Sequence, residues 1–303
     1  MNGETFENWT GWAELENDPA IFSTLLREWG VPSVRIQEVF ELDSLFDMPP
    51  DNIFGLVLLS RWTAPEEENK HQLTTAPSDL WFANQISSYS CASVAIMNII
   101  NNHPSINLGP ELNAFRNQTK NMSPKDRGLA LDSFEHVREK HNSFATAIDK
   151  LTVDMSLKDD VLKYERKKRV EETATTNGKR RKRRKITMEH DDQVNGFHFI
   201  AYAPVLASAW KMDGMEPLPR KIAGTTAEGS WLFAAASDIQ SQMASAIADE
   251  MEFSVLSLVR RTDTEDQSAE AADMQLARED WGPFISHLVQ LHAEKGDIQD
   301  LMR

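Results

Sequence analysis

Only one cysteine, Cys91, occurs in the 303 residues. With no second thiol there is no intramolecular disulfide framework, and a reducing compartment is the expected setting. Long apolar runs are also missing. Phe54–Leu59 and the interrupted stretch Phe199–Trp210 fall short of the roughly 20 residues that a membrane-spanning helix needs. The opening Met1–Asp18 is polar and acidic, without the basic flank or apolar stretch of a secretory signal. Neither a secreted nor a membrane-embedded protein is therefore expected. Glycine and proline number only 13 each, which excludes collagen-like and low-complexity chains. Positive charge is scarce, with 32 Lys and Arg against 47 Asp and Glu and a net charge of −15. A body of that sign does not lay a whole face on nucleic acid. What is present, 41% hydrophobic residues over this length, suffices for a sizeable core in one large domain or a domain with a tail.

The scarce positive charge is concentrated. Between Lys163 and Lys185 lie 12 Lys and Arg against three Glu. The wholly basic run 179–185 repels itself and should stay solvated. Lys167-Lys168-Arg169 and a nine-residue spacer precede it, so 167–185 reads as a bipartite import signal and predicts residence in nucleus and cytoplasm. A solvated loop with no receptor is the alternative.

Apolar spacing predicts the elements. Asp18-Pro19 followed by Ile21, Phe22, Leu25, Leu26 and Trp29 opens an amphipathic helix that Gly30 ends. Val34–Phe40 suggests a short strand or helical turn, and Phe54–Leu59 a buried strand. Thr63–Ser78 reads as a loop, Cys91–Asn101 as a core helix, and Leu108–Met122 and Ser123–Lys140 as two more helices. Glu252–Val259 reads as a last strand. Phe197–Tyr202 and Ala209–Asp213 are strand-like, and a four-residue loop Pro204–Ala207 between them predicts a hairpin. That register sets Phe199 opposite Met212 and Ala201 opposite Trp210 on an apolar face shared with Phe197. The other face then holds His198 directly opposite Asp213, close enough for imidazole and carboxylate to meet. Taken singly, His198 also fits a satisfied structural histidine, and Asp213-Gly214 an ordinary turn dipeptide.

Cys91 begins the core helix, where the positive end of the helix dipole favours thiolate. A nearby His198 would act as base, Asp213 would hold its tautomer, and the Gln85 amide with the Cys91 backbone N–H would serve an oxyanion. On spacing alone, a cysteine hydrolase and an inert buried Cys91 stand as alternatives.

These residues resemble the ubiquitin C-terminal hydrolase family of cysteine peptidases. The resemblance runs through Trp12–Pro19, Phe54–Leu59, Trp81–Gln85 with Ser90-Cys91-Ala92, Arg127–Leu131, His141–Ala145, Phe197-His198-Phe199 and Asp213-Gly214. It implies an α/β helix–sheet–helix layered domain with a papain-like Cys-His-Asp site. Cys91 is then the nucleophile, His198 the general base and acid, Asp213 its orienting partner and Gln85 an oxyanion donor, with no metal or cofactor. One departure is Tyr89, where the family usually has Asn. The catalytic domain would span 1–261, with 149–193 as a long basic crossover loop over the active site. A linker over 262–279 and a helical tail over 280–303 would follow, with Phe284, Leu288 and Leu291 on one face. The tail resembles that of the proteasome-associated member, which implies a proteasome-cap adaptor as partner besides ubiquitin and its conjugates. The basic segment 163–185 would meet an import receptor or an acidic partner. The implied activity is hydrolysis after the C-terminal glycine of ubiquitin through a thioester acyl-enzyme. A chromatin-directed deubiquitinase and a catalytically silent ubiquitin-binding subunit are the alternatives.

Overall fold

A computed structural model of the chain describes residues 9–61, 77–158, 161–162, 197–224, 230–248 and 253–261, together with positions 284, 287, 288, 290 and 291. The expected basic run 163–185, the linker 262–279, most of the loop 63–78 and the side chain of Phe197 lie outside the described residues. The chain divides into two compact units, Met1–Glu265 and Asp266–Arg303. In the second, the described positions are helical, and Phe284, Leu288 and Leu291 are exposed.

Local chemistry sets the first element. In α1 (Pro19–Glu28), Asp18 Oδ1 accepts the Ala20 N–H at 2.7 Å, and Pro19 supplies a first residue that needs no hydrogen bond. Gly30 takes φ 94°, and the Val31 N–H to Leu26 carbonyl and Gly30 N–H to Arg27 carbonyl bonds close the helix as a Schellman turn. β1 (Val34–Glu38) follows, then two short 3-10 turns and β2 (Ile53–Arg61). Next come α2 (Cys91–Ile100), α3 (Gly109–Thr119), α4 (Pro124–Asp132) and α5 (Glu135–Asn142). The single helix expected over Ser123–Lys140 is therefore two, broken at Ser133-Phe134. Residues 147–158 form a further helix, α6, so the loop expected from 149 opens as helix. Val153 is buried there, and Asp154 Oδ1 accepts the Trp9 indole N–H at 2.9 Å.

The remaining elements are β3 (Phe197–Val205), β4 (Ser208–Asp213), β5 (Arg220–Gly224), α7 (Ser230–Ala248) and β6 (Phe253–Arg260). The six strands form one sheet, ordered β1-β6-β2-β3-β4-β5, and every neighbouring pair is antiparallel. Alternation along the strands builds two apolar layers. Val57, Phe199 and Leu256 face Phe22 of α1 and Ala92 and Ile96 of α2. Leu56, Leu58, Ile200, Tyr202 and Val255 pack against Trp231, Leu232, Ala235 and Ile239 of α7. The expected helix–sheet–helix layering is what the chain adopts.

The β3–β4 register differs from expectation. Ile200, not His198, lies opposite Asp213, and Val205 pairs with Ser208. The turn is the two-residue Leu206-Ala207, both at φ 51°, the backbone of a type I′ hairpin. Pro204 stays in the strand because β2 pairs with β3 no further than Tyr202, so no ladder bond is asked of its missing N–H. The shift is two residues, so every side chain keeps its expected face.

Candidate active site

The segment before the cysteine is fixed by side chains of α2, the turn after it, and α4. Asn98 of α2 and Asn102 in the turn just after it bond both backbone groups of Ala83 and Trp81 respectively, at 2.7–3.2 Å. From the other side Arg127 of α4 donates to the carbonyls of Leu80, Phe82, Thr119 and Lys120. The guanidinium also sits 5.8 Å from the Trp81 ring centroid, and burial lowers its pKa. The chain then turns through Tyr89, at φ 66°, into Cys91 at the start of α2.

Across the sheet, His198 Nε2 lies 2.6 Å from Asp213 Oδ1. Two residues of offset along antiparallel strands is a diagonal that these side chains can span. Burial raises the Asp213 carboxyl. The hydrogen bond and charge of His198, the Met215 N–H at 2.9 Å and the Lys211 charge outweigh it, so the pKa ends below the usual carboxylate value. An ionised carboxylate only accepts, so Nε2 carries the proton and Nδ1 is left as the basic nitrogen. Gln85 reaches the same turn, its backbone N–H bonding the Gly214 carbonyl at 2.9 Å. Its side-chain Nε2 donates to the Ser87 carbonyl at 3.1 Å, and Oε1 is buried without a partner.

Cys91 is half-buried. Burial pushes its thiol up to about 11, against the backbone N–H groups of Phe199, Ala92 and Cys91, which pull it down, while Glu14 adds a smaller push upward. The expected readily formed thiolate is thus corrected: desolvation exceeds the pull of the helix N-terminus. Among the described residues no hydrogen bond joins the thiol to the imidazole. The Phe199 N–H that faces the sulfur belongs nonetheless to the residue after His198. The structure therefore pairs His198 with Asp213, ties Gln85 to the Asp213 turn, and sets Cys91 against the strand that carries His198.

His141 supports the same helix. It is fully buried and accepts the Ser93 hydroxyl through Nδ1 and donates to the Ala13 carbonyl through Nε2, both at 2.7 Å, and burial lowers its pKa to about 4. Its place in the sequence gave no sign of this, beyond lying in a block that resembles the family. Among the described residues no group of three or more His, Cys, Asp or Glu could hold a metal ion.

The family model described as "Ubiquitin carboxyl-terminal hydrolase, family 1" matches residues 12–244. The chain belongs to this family. Its relatives in the family include the ubiquitin carboxyl-terminal hydrolase isozyme L5 of Dictyostelium discoideum, 26% identical over 84% of this chain and 63% of that protein. Ubiquitin carboxyl-terminal hydrolase ubh-4 of Caenorhabditis elegans is 25% identical over 82% of this chain and 66% of that one. Calypso of Drosophila melanogaster is 27% identical over 73% and 43%. The chain thus spans less than two thirds of each of these relatives. The fold matches the crystal structure of the Trichinella spiralis UCH37 catalytic domain bound to ubiquitin vinyl methyl ester. The TM-score is 0.60 at 24% identity, over 83% of this chain and 96% of that one.

Proposed function

We propose that this family member is a deubiquitinating cysteine peptidase, cleaving the bond after the C-terminal glycine of ubiquitin. The observation that carries the reading is the His198–Asp213 pair at 2.6 Å, its imidazole buried and its carboxylate partly so, one residue from the backbone N–H facing the chain's sole thiol. In this reaction the Cys91 S–H proton passes to His198 Nδ1 as sulfur attacks the glycyl carbonyl carbon. The oxyanion accepts from the Cys91 backbone N–H and the Gln85 amide. As the carbon–nitrogen bond breaks, the leaving amine takes the proton from Nδ1, leaving a thioester. Water then gives a proton to Nδ1, its oxygen attacks the thioester, and the sulfur departs and recovers the proton. Asp213 holds the ring throughout with Nε2–H toward itself.

Because the free thiol is raised rather than lowered, proton transfer to His198 has to accompany attack, and the ring has to reach the sulfur when substrate arrives. Apo sites are often looser than their substrate complexes. The same observation favours a second reading, a catalytically silent ubiquitin-binding subunit. A ubiquitin C-terminal vinyl methyl ester separates the two. Labelling of reduced protein at Cys91, lost in Cys91→Ala, supports catalysis; binding without labelling supports the silent subunit.

The finer parts of the proposal rest on sequence. The tail 280–303 would bind a proteasome-cap adaptor through Phe284, Leu288 and Leu291. The basic segment 163–185 would meet an import receptor or an acidic partner, giving nuclear and cytoplasmic pools, with chromatin-directed action as the alternative. Loss of nuclear signal and of salt-sensitive binding on neutralising 179–185 would support this part. Unchanged distribution and affinity would remove it.

A further inference from the structure

We propose that Asn84 is a positioning residue that sets the oxyanion segment and the acid–base pair in register. The inference rests on the deubiquitinase reading and concerns how that site is held together. Asn84 immediately precedes Gln85 and touches two other parts of the fold. Its side-chain Nδ2 donates to the carbonyls of Glu216 at 2.7 Å and Gly214 at 3.3 Å. Its backbone N–H donates to the Pro124 carbonyl at 3.0 Å, at the start of α4. Its carbonyl oxygen lies so close to Gly128 that a Cβ there would come within 2.2 Å. The residue is therefore pinned by α4 on one side and grips the turn after Asp213 on the other.

That turn orients the carboxylate. The Glu216 N–H donates to the Asp213 carbonyl at 3.1 Å, closing the turn, and the Met215 N–H donates to Asp213 Oδ1. The same Oδ1 takes the His198 Nε2–H. Gln85 adds its backbone N–H to the Gly214 carbonyl, and a Cβ on Gly214 would come within 3.1–3.2 Å of Gln85 and Val94, so the two segments are in direct contact. The Asn84 amide nitrogen meets two carbonyl oxygens, an arrangement that only a donor can satisfy. Without it the turn and the oxyanion segment retain a single backbone bond as their polar link. A misplacement near 1 Å between oxyanion donor and base is enough to cost about 100-fold in rate.

Asn84→Asp is nearly isosteric but faces both carbonyls with an acceptor. Asn84→His keeps a ring N–H the same number of bonds from the backbone, so it can still donate to the nearer carbonyl, that of Glu216, where Asp cannot. Turnover of a ubiquitin C-terminal fluorogenic amide by the full chain is the assay, with thermal midpoints as control. The expected result for Asn84→Asp is a kcat lower by at least about tenfold with KM within about threefold. Asn84→His, which restores one of the two donors, should return part of the lost kcat. A KM effect alone, an unchanged kcat in Asn84→Asp, or an equal kcat loss in Asp and His variants would each overturn the inference. An inactive, unlabelled wild type fails the deubiquitinase reading instead, so the two failures are distinguishable.

Discussion

Because Cys91 is the chain's single thiol, its ionisation can be followed in the whole protein without any competing signal. Burial moves it from 9.0 to about 11. At pH 7.5 an unperturbed thiol of that reference value is about 3% thiolate, and one near 11 about 0.03%, a difference of roughly 100-fold. Higher basicity returns part of this, since thiolate nucleophilicity rises with pKa by a Brønsted slope of about 0.4–0.5, or roughly sixfold to tenfold over two units. Iodoacetamide at pH 7.5 should therefore alkylate the folded protein about tenfold more slowly than the same chain unfolded in urea. The native rate should still be climbing above pH 10, where the unfolded chain, with its thiol near 9.0, has levelled off. Intact mass reads both rates. A native rate equal to or above the unfolded one, with an inflection below pH 8, would refute the reasoning: the thiol would then be primed in the free protein.

Three further outcomes follow from other sites. Burial holds both His141 and His103 near pKa 4, below the free value of 6.5, so each favours the folded state above about pH 6.5 and that contribution is lost as pH falls toward 4. For His141 the loss approaches about 3 kcal/mol, and a thermal midpoint that is flat between pH 7 and 5 would contradict it. Tyr89, at φ 66°, occupies backbone space that asparagine tolerates better than tyrosine. Tyr89→Asn should raise the urea midpoint by about 1 kcal/mol of stability, and a lowered midpoint would count against strain there. Arg127→Met strips four carbonyls of their donor and should cost at least about 3 kcal/mol in urea unfolding; a loss under about 1 would show that water replaces the guanidinium.

Much of this architecture was legible because its signals are local. The Asp18-Pro19 cap, the Gly30 stop and the apolar Phe54–Leu59 run each declare an element within a few residues. The face shared by His198 and Asp213 was legible for a similar reason. Side chains alternate with period two, so an error of two residues in register leaves the face unchanged. The turn itself was not, because proline in a strand depends on where the neighbouring strand stops pairing, which is a tertiary fact. Between Gly214 and Glu252 the pattern suggested nothing, yet β5 and α7 form there. Trp231, Leu232, Ala235 and Ile239 do recur at helical spacing, but alanine and serine dilute the stripe. The direction of the Cys91 shift was illegible for a physical reason. The helix dipole can be read from position, whereas desolvation depends on everything packed around the sulfur.

The strand order also bears on how the molecule is made. β6, residues Phe253–Arg260, lies between β1 and β2, and β1 has no other neighbour in the sheet. A nascent chain emerging from the ribosome therefore carries its amino-terminal strand unpaired until some 220 further residues have been synthesised, tens of seconds at about 5–20 residues per second. Any message that ends early, before residue 253, leaves two exposed backbone edges in the middle of the sheet. Such fragments should be sticky and short-lived rather than partly active, which gives the cell a chain that is either whole or discarded.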